Sequence, residues 1–117
     1  MSDRRINDNR FQSGDDLLKA LGALANPHRL RILASLHQGR NYVSQLARDI
    51  GMSRPLLHMH LQRLEAAGLV EGTLELSEDG KAMKFFKLTP FAIQLTPERI
   101  AEAVETLALP EEPTDRS

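Results

Sequence analysis

Arg54, His58, Gln62 and Arg63 bring four hydrogen-bonding side chains into one short run, Ser53-Arg-Pro-Leu-Leu-His-Met-His-Leu-Gln-Arg-Leu-Glu-Ala-Ala67. Turned at 100° per residue from Leu57, Leu61, Leu64 and Gly68 fall within about 40° of it, while Pro55, His58, Met59, Gln62 and Ala66 fall on the opposite side. One face is core. The other is a slender surface of the kind that enters a DNA major groove: His58 and Gln62 suit base edges, and Arg54 and Arg63 flank them to reach phosphates or guanine edges. Leu56 and Met59 suit a thymine methyl, or are incidental surface. Read without this chemistry, the same pattern is a plain helical hairpin.

Positioning such a face takes two helices and a turn. Ser44-Gln-Leu-Ala-Arg-Asp-Ile-Gly51 supplies the first helix, capped by Ser44. In it Ala47 permits close approach of the pair, and Gly51 can adopt the positive φ that ends it. Ser53 suits the N-cap of the second helix and Pro55 its first turn, where a missing N–H costs little. Beyond it, Leu69 to Leu76 alternates apolar and polar residues, Ser77-Glu-Asp-Gly-Lys81 carries an Asp-Gly turn signal, and Met83 to Leu88 forms a second strand. A reading helix followed directly by a hairpin predicts a winged helix, with Lys81 and Lys84 suited to phosphates and Glu78 and Asp79 repelling them.

With these motifs in place the chain resembles the ArsR family of bacterial and archaeal repressors from about Leu21 to Leu88. The matching residues are Leu21-Gly-Ala-Leu-Ala-Asn-Pro-His-Arg-Leu-Arg-Ile-Leu33, Ser53-Arg-Pro55, His60-Leu61, Leu64-Glu-Ala-Ala-Gly-Leu-Val70 and Lys84-Phe-Phe-Lys-Leu88. The resemblance implies a homodimeric transcription regulator whose helix from about Arg54 to Ala67 reads DNA and whose hairpin tip touches the flanking backbone.

The remaining chain fits one domain. At 117 residues and 41% hydrophobic it can bury one modest core. Ser13 to Ala25 is predicted as a helix capped by Ser13 with Leu17, Leu21 and Leu24 on one stripe. Asn26-Pro27 opens another, to about Gln38, burying Leu30, Leu33 and Leu36 and ended by Gly39. Asn41 to Val43 is read as a short third strand. Thr89 to Leu95 is an extended connector in which Phe91, Ile93 and Leu95 alternate. Thr96-Pro-Glu opens a last helix, with Ile100, Val104 and Leu107 on one stripe. That helix has little monomer core left to cover. Leu17, Leu21, Leu24, Ile100, Val104 and Leu107 are therefore expected at a two-fold interface, as the resemblance also implies, and the competing arrangement folds the last helix back on its own subunit. Residues 1–12, with Arg4, Arg5 and Arg10, read as a disordered leader or a basic arm, 13–108 as the domain, and 109–117 as a disordered acidic tail.

Net charge is −1, but its placement is uneven. From Lys19 to Gln62 the basic residues Lys19, Arg29, Arg31, Arg40, Arg48 and Arg54 face the single acid Asp49, while acids dominate from Glu98 onward. The basic middle can supply phosphate contacts. No run approaches the roughly 18 apolar residues of a membrane span, and no hydrophobic signal region follows Met1, so a cytoplasmic protein with no membrane partner is expected. Cysteines number zero and histidines four. His58 and His60 diverge by about 200° on their helix, and His28 and His37 sit near opposite ends of theirs, which argues against a metal site. His60 lies about 60° from Leu57, where packing and hydrogen bonding at the core edge outweigh base contact. With no phosphate loop, nucleophile elbow or cysteine–histidine pairing, neither enzyme nor cofactor is expected. The fold class is α+β: a mostly helical winged helix-turn-helix with a β-hairpin wing and terminal dimerisation helices. The expected function is sequence-specific binding of double-stranded DNA as a homodimeric repressor on a palindromic operator, its effector left open. The rival is a winged-helix protein-interaction or RNA-binding module.

Overall fold

The computed structural model describes residues 9–108. A 3-10 turn, Asn9–Phe11, leads into helices α1 (Gly14–Leu24) and α2 (Pro27–His37). Strand β1 (Asn41–Tyr42) follows, then helices α3 (Val43–Ile50) and α4 (Arg54–Ala66), strands β2 (Val70–Leu76) and β3 (Ala82–Leu88), and helix α5 (Pro97–Val104). Local chemistry sets most boundaries. The side chains of Ser13, Asn26, Ser53 and Thr96 each accept a hydrogen bond from a backbone N–H in the first turn of the helix that follows. Pro27, Pro55 and Pro97 occupy first-turn positions. Gly51 takes the left-handed conformation (φ 66°), and the Met52 N–H reaches back to the Ala47 carbonyl at 3.0 Å, stopping α3 before the turn.

Helices α1 to α4 enclose a core in which Ile32, Leu46, Leu57, Leu61, Leu64 and Leu69 are fully buried. Burying each of these side chains is worth about 1.5–3 kcal/mol. The sheet is antiparallel in the order β1-β3-β2, with Tyr42 opposite Phe85, Val70 opposite Leu88 and Leu76 opposite Ala82. Phe86 turns into the core, whereas Leu74 and Leu76 are 67% and 75% exposed, so the β2 alternation stops burying side chains as the hairpin leaves the body.

Several expectations are corrected. Leu30 is exposed, and α2 buries Ile32 in company with Leu33 and Leu36. Ser44 does not cap α3; the helix begins at Val43, and its N-cap residue Tyr42 contributes no side-chain hydrogen bond. The end of the presumed leader belongs to the fold, because Phe11 is buried with its ring edge-on to Phe91, 6.5 Å between centroids. Arg4, Arg5 and the 109–117 tail lie outside the described residues.

Helix α5 packs on α1 of its own chain through the buried Ala103. The Gly14 N–H donates to Thr106 Oγ1 at 2.8 Å, and the Ala108 N–H to Asp15 Oδ1 at 3.0 Å. Leu107 lies beyond the end of α5, half-buried beside Gly14. Leu17 is buried in the chain's own core, with Leu21 and Leu24 packed partly against it. Ile100 and Val104 remain 46% and 49% exposed.

Candidate nucleic-acid interface

The outer face of α4 is built by its inner one. Leu57, Leu61 and Leu64 lock the rotation of the helix, which leaves Arg54, Pro55, His58, Met59, Gln62 and Arg63 exposed along the opposite side, with Ser53 exposed at the cap. Among the described residues, no hydrogen bond or ion pair engages the side chains of Arg54, His58, Gln62 or Arg63.

His60, two residues from the exposed His58, sits in a different environment. Its ring is 5% exposed, and Nδ1 lies 3.1 Å from the Arg29 guanidinium. Burial first, then the positive charge of Arg29, holds the imidazole below its usual pKa. Arg29 is itself buried; its Nε donates to the Ala23 carbonyl at 2.7 Å. The α1–α2 corner and the centre of α4 are thus joined by one guanidinium. His58 and His60 do not converge, and among the described residues no three metal-binding side chains do.

The basic middle is less free than its composition suggests. Arg29 is structural, Arg31 donates to the Ile50 carbonyl at 3.2 Å, and Arg48 to Gln45 at 2.6 Å. Arg40 stacks over the Phe85 ring, 4.3 Å from its centroid, and pairs with Glu75 at 2.5 Å. It thereby crosses the three strands and holds the wing to β1. Lys19 and Arg54 are left facing solvent.

The wing and α4 meet at a cleft of about 290 Å³ that includes Tyr42, Ser44, Arg54, His58 and Lys84. Its lining residues include two that carry hydroxyls, two cations and a histidine, beside the first turn of α3, whose N-cap residue provides no side-chain hydrogen bond. The β1–β3 pairing, with Tyr42 opposite Phe85, brings Tyr42 to Lys84, and Ser44 follows it in the first turn of α3. Gly72 shapes the same region, since a Cβ there would stand 2.8 Å from the Phe86 ring and 2.9 Å from the Lys84 stem. Lys81 lies at the turn, exposed with Glu78 and Asp79. The Ser77 hydroxyl donates to Asp79, holding its carboxyl below the usual carboxylate range and so ionised at neutral pH.

The family model described as bacterial regulatory protein, arsR family, matches residues 26–72, from the α2 cap into β2. An HTH-type transcriptional regulator of Methanocaldococcus jannaschii, itself uncharacterized, is 36% identical over 90 residues, 77% of this chain and 94% of the relative. This chain belongs to the ArsR family. CmtR of Mycobacterium tuberculosis, an HTH-type transcriptional regulator, is 44% identical over 62 residues; this chain spans 52% of its length. Among solved structures, a homodimeric winged helix-turn-helix DNA-binding domain from Mycobacterium bovis, a possible ArsR-family regulator, superimposes with a TM-score of 0.59 at 29% identity. The match covers 78% of this chain and 75% of that one. NolR from Sinorhizobium fredii gives 0.56 at 26%, covering 75% and 83%. The winged helix-turn-helix of the ArsR family is therefore the architecture here, and its relatives are named as transcriptional regulators rather than enzymes. Among the described residues no helix is long and apolar enough to cross a membrane.

Proposed function

We propose that the chain is a homodimeric transcription repressor that binds a palindromic operator, with α4 in the major groove and the wing along the flanking backbone. The observation that carries this is the uncommitted face of α4. Arg54, His58, Gln62 and Arg63 are held outward by a fully buried opposite face, and Lys84 of the wing approaches the same cleft. His58 and Gln62 supply base-edge contacts, Arg54 and Arg63 supply phosphate or guanine contacts, and Ser53, Pro55 and Met59 shape the surface that enters the groove. The cleft between α4 and the wing takes a backbone phosphate, held by Lys84 and Arg54 with the Tyr42 and Ser44 hydroxyls. Lys81 contributes from the tip, against Glu78 and Asp79. Ile100 and Val104, with the exposed side of α1, form the two-fold contact, since they leave an apolar stripe exposed on α5; that the M. bovis neighbour is homodimeric supports a two-fold assembly.

Electrophoretic shift over a library of source-genome fragments tests the reading. Specific complexes should form, with log affinity falling against log salt at about 0.9 per phosphate neutralised. Half-sites should lie about 34–36 Å apart or at a multiple of that spacing. The exposed Leu74 and Leu76 and the acidic wing tip favour a second reading, a module that binds protein through the wing. Absence of any salt-sensitive DNA complex would promote it.

A further inference from the structure

Arg10 does not project from the body as a free cation. Its Nη1 donates to the Gly68 carbonyl at 2.6 Å and its Nη2 to the Pro90 carbonyl at 2.7 Å, across 58 and 80 residues of sequence. Those two carbonyls mark the ends of the segment that carries the wing. Gly68 closes α4 at φ 80°, and Pro90 follows β3. Between them the Thr89 N–H donates to the Leu69 carbonyl at 3.1 Å. Arg10 therefore closes the base of the hairpin from outside the sheet, using two separate nitrogens of one planar fork, a geometry that the single nitrogen of an ammonium does not reproduce. It is backed by Phe11, buried next to it, and by Arg99 of α5, which donates to the Phe11 and Gln12 carbonyls at 2.5 and 2.8 Å.

We propose that Arg10 is a positioning residue for DNA binding: by bridging Gly68 and Pro90 it fixes the angle at which the wing leaves the reading helix. This rests on the DNA-binding reading above. The leverage is geometric. A seven-residue strand is about 23 Å long, so a swing of about 10° at its base moves the tip by about 4 Å. That is more than a hydrogen bond to a phosphate tolerates.

Full-length wild type, Arg10→Ala and Arg10→Lys should be compared with and without the pair Lys81→Gln and Lys84→Gln, measuring operator affinity, its salt slope and amide hydrogen exchange. Both Arg10 variants should weaken binding about five- to tenfold in the parent and less than twofold once the wing lysines are gone, the signature of a coupled pair. Exchange should quicken in residues 70–88 while the amides of α2 and α3 stay protected. If Arg10 instead meets phosphate directly, Arg10→Lys will retain affinity and losses will add to those of the lysines; either result overturns the proposal. Exchange that rises equally through α2 and α3 overturns it too, by making the contact one of general stability. A wild-type chain that binds no DNA fragment removes the DNA-binding reading itself, and this role with it. Additive losses in a chain that does bind remove only the role of Arg10.

Discussion

The Arg29 guanidinium and the His60 imidazole face each other at 3.1 Å, both buried, with Nδ1 of the ring accepting from a cation that cannot give up its proton. Protonating His60 would set two donors and two positive charges against one another. The other charged or titratable groups near the ring are His28 of α2, 5.6 Å away between centroids, and Arg63 of α4, and both oppose that proton. Because the folded pKa is depressed, the unfolded chain takes up the proton first as pH falls. The stabilisation by neutral His60 is complete above the unfolded value of about 6.5 and is lost as pH falls through the lower folded value. Urea melts across that window should show declining stability in wild type and a shallower decline in His60→Leu. At neutral pH, His60→Ala should lower stability by about 1–3 kcal/mol. Equal pH slopes in wild type and His60→Leu would refute the assignment.

The neighbouring exposed residues should behave in the opposite way. His58→Ala and Gln62→Ala are expected to leave the melting transition within about 0.5 kcal/mol of wild type while weakening operator binding. Gln62→Ala should relax preference at one base position, whereas Arg63→Ala should reduce the salt slope by about 1 with little change in preference. Binding titrations over a set of single-base operator variants separate the two.

Self-association is predicted to depend on Ile100 and Val104. Substituting both with glutamate places charge on the exposed stripe of α5, while Ala103 still packs on α1. Sedimentation should show monomers. Operator affinity should fall by about a hundredfold or more as the second half-site ceases to add avidity, although α4 is untouched. A variant that remains dimeric would move the interface elsewhere.

Gly14→Ala probes the α1–α5 crossing. The added Cβ would stand 2.2 Å from the Ala103 carbonyl oxygen and 2.8 Å from the Leu107 Cβ, a clash with backbone that no rotamer relieves. A loss of about 1–3 kcal/mol is expected in chemical denaturation. Gly22→Ala, with nothing near its Cβ, is the matched control.

Which parts of this molecule could be read from its sequence follows from how far apart the interacting residues stand. Ser13, Asn26, Ser53 and Thr96 bond to N–H groups two or three residues on, so their capping roles are visible in any short window. Gly51 and the Asp79-Gly80 turn are local in the same sense. The α4 face was legible because leucines fix its phase. Arg29, by contrast, sits among residues of α2 that read equally well with Leu30 inward; the Ala23 and Gly22 carbonyls of α1 and His60 of α4 draw it into the core. Tyr42 joins the cleft through strand pairing with β3, and Ser44 through its place in the first turn of α3. Arg10 acts through carbonyls, which carry no side-chain signature at all.

Because Gly14 lets the Ala103 carbonyl come so close, and Thr106 and Asp15 tie the end of α5 to the start of α1, the terminal helix is ordered before any second copy arrives. Association then resembles rigid-body docking of a preformed surface. Little chain entropy remains to be lost at that step, so changes in affinity between copies should appear chiefly in how long the pair stays together and hardly at all in how fast it forms.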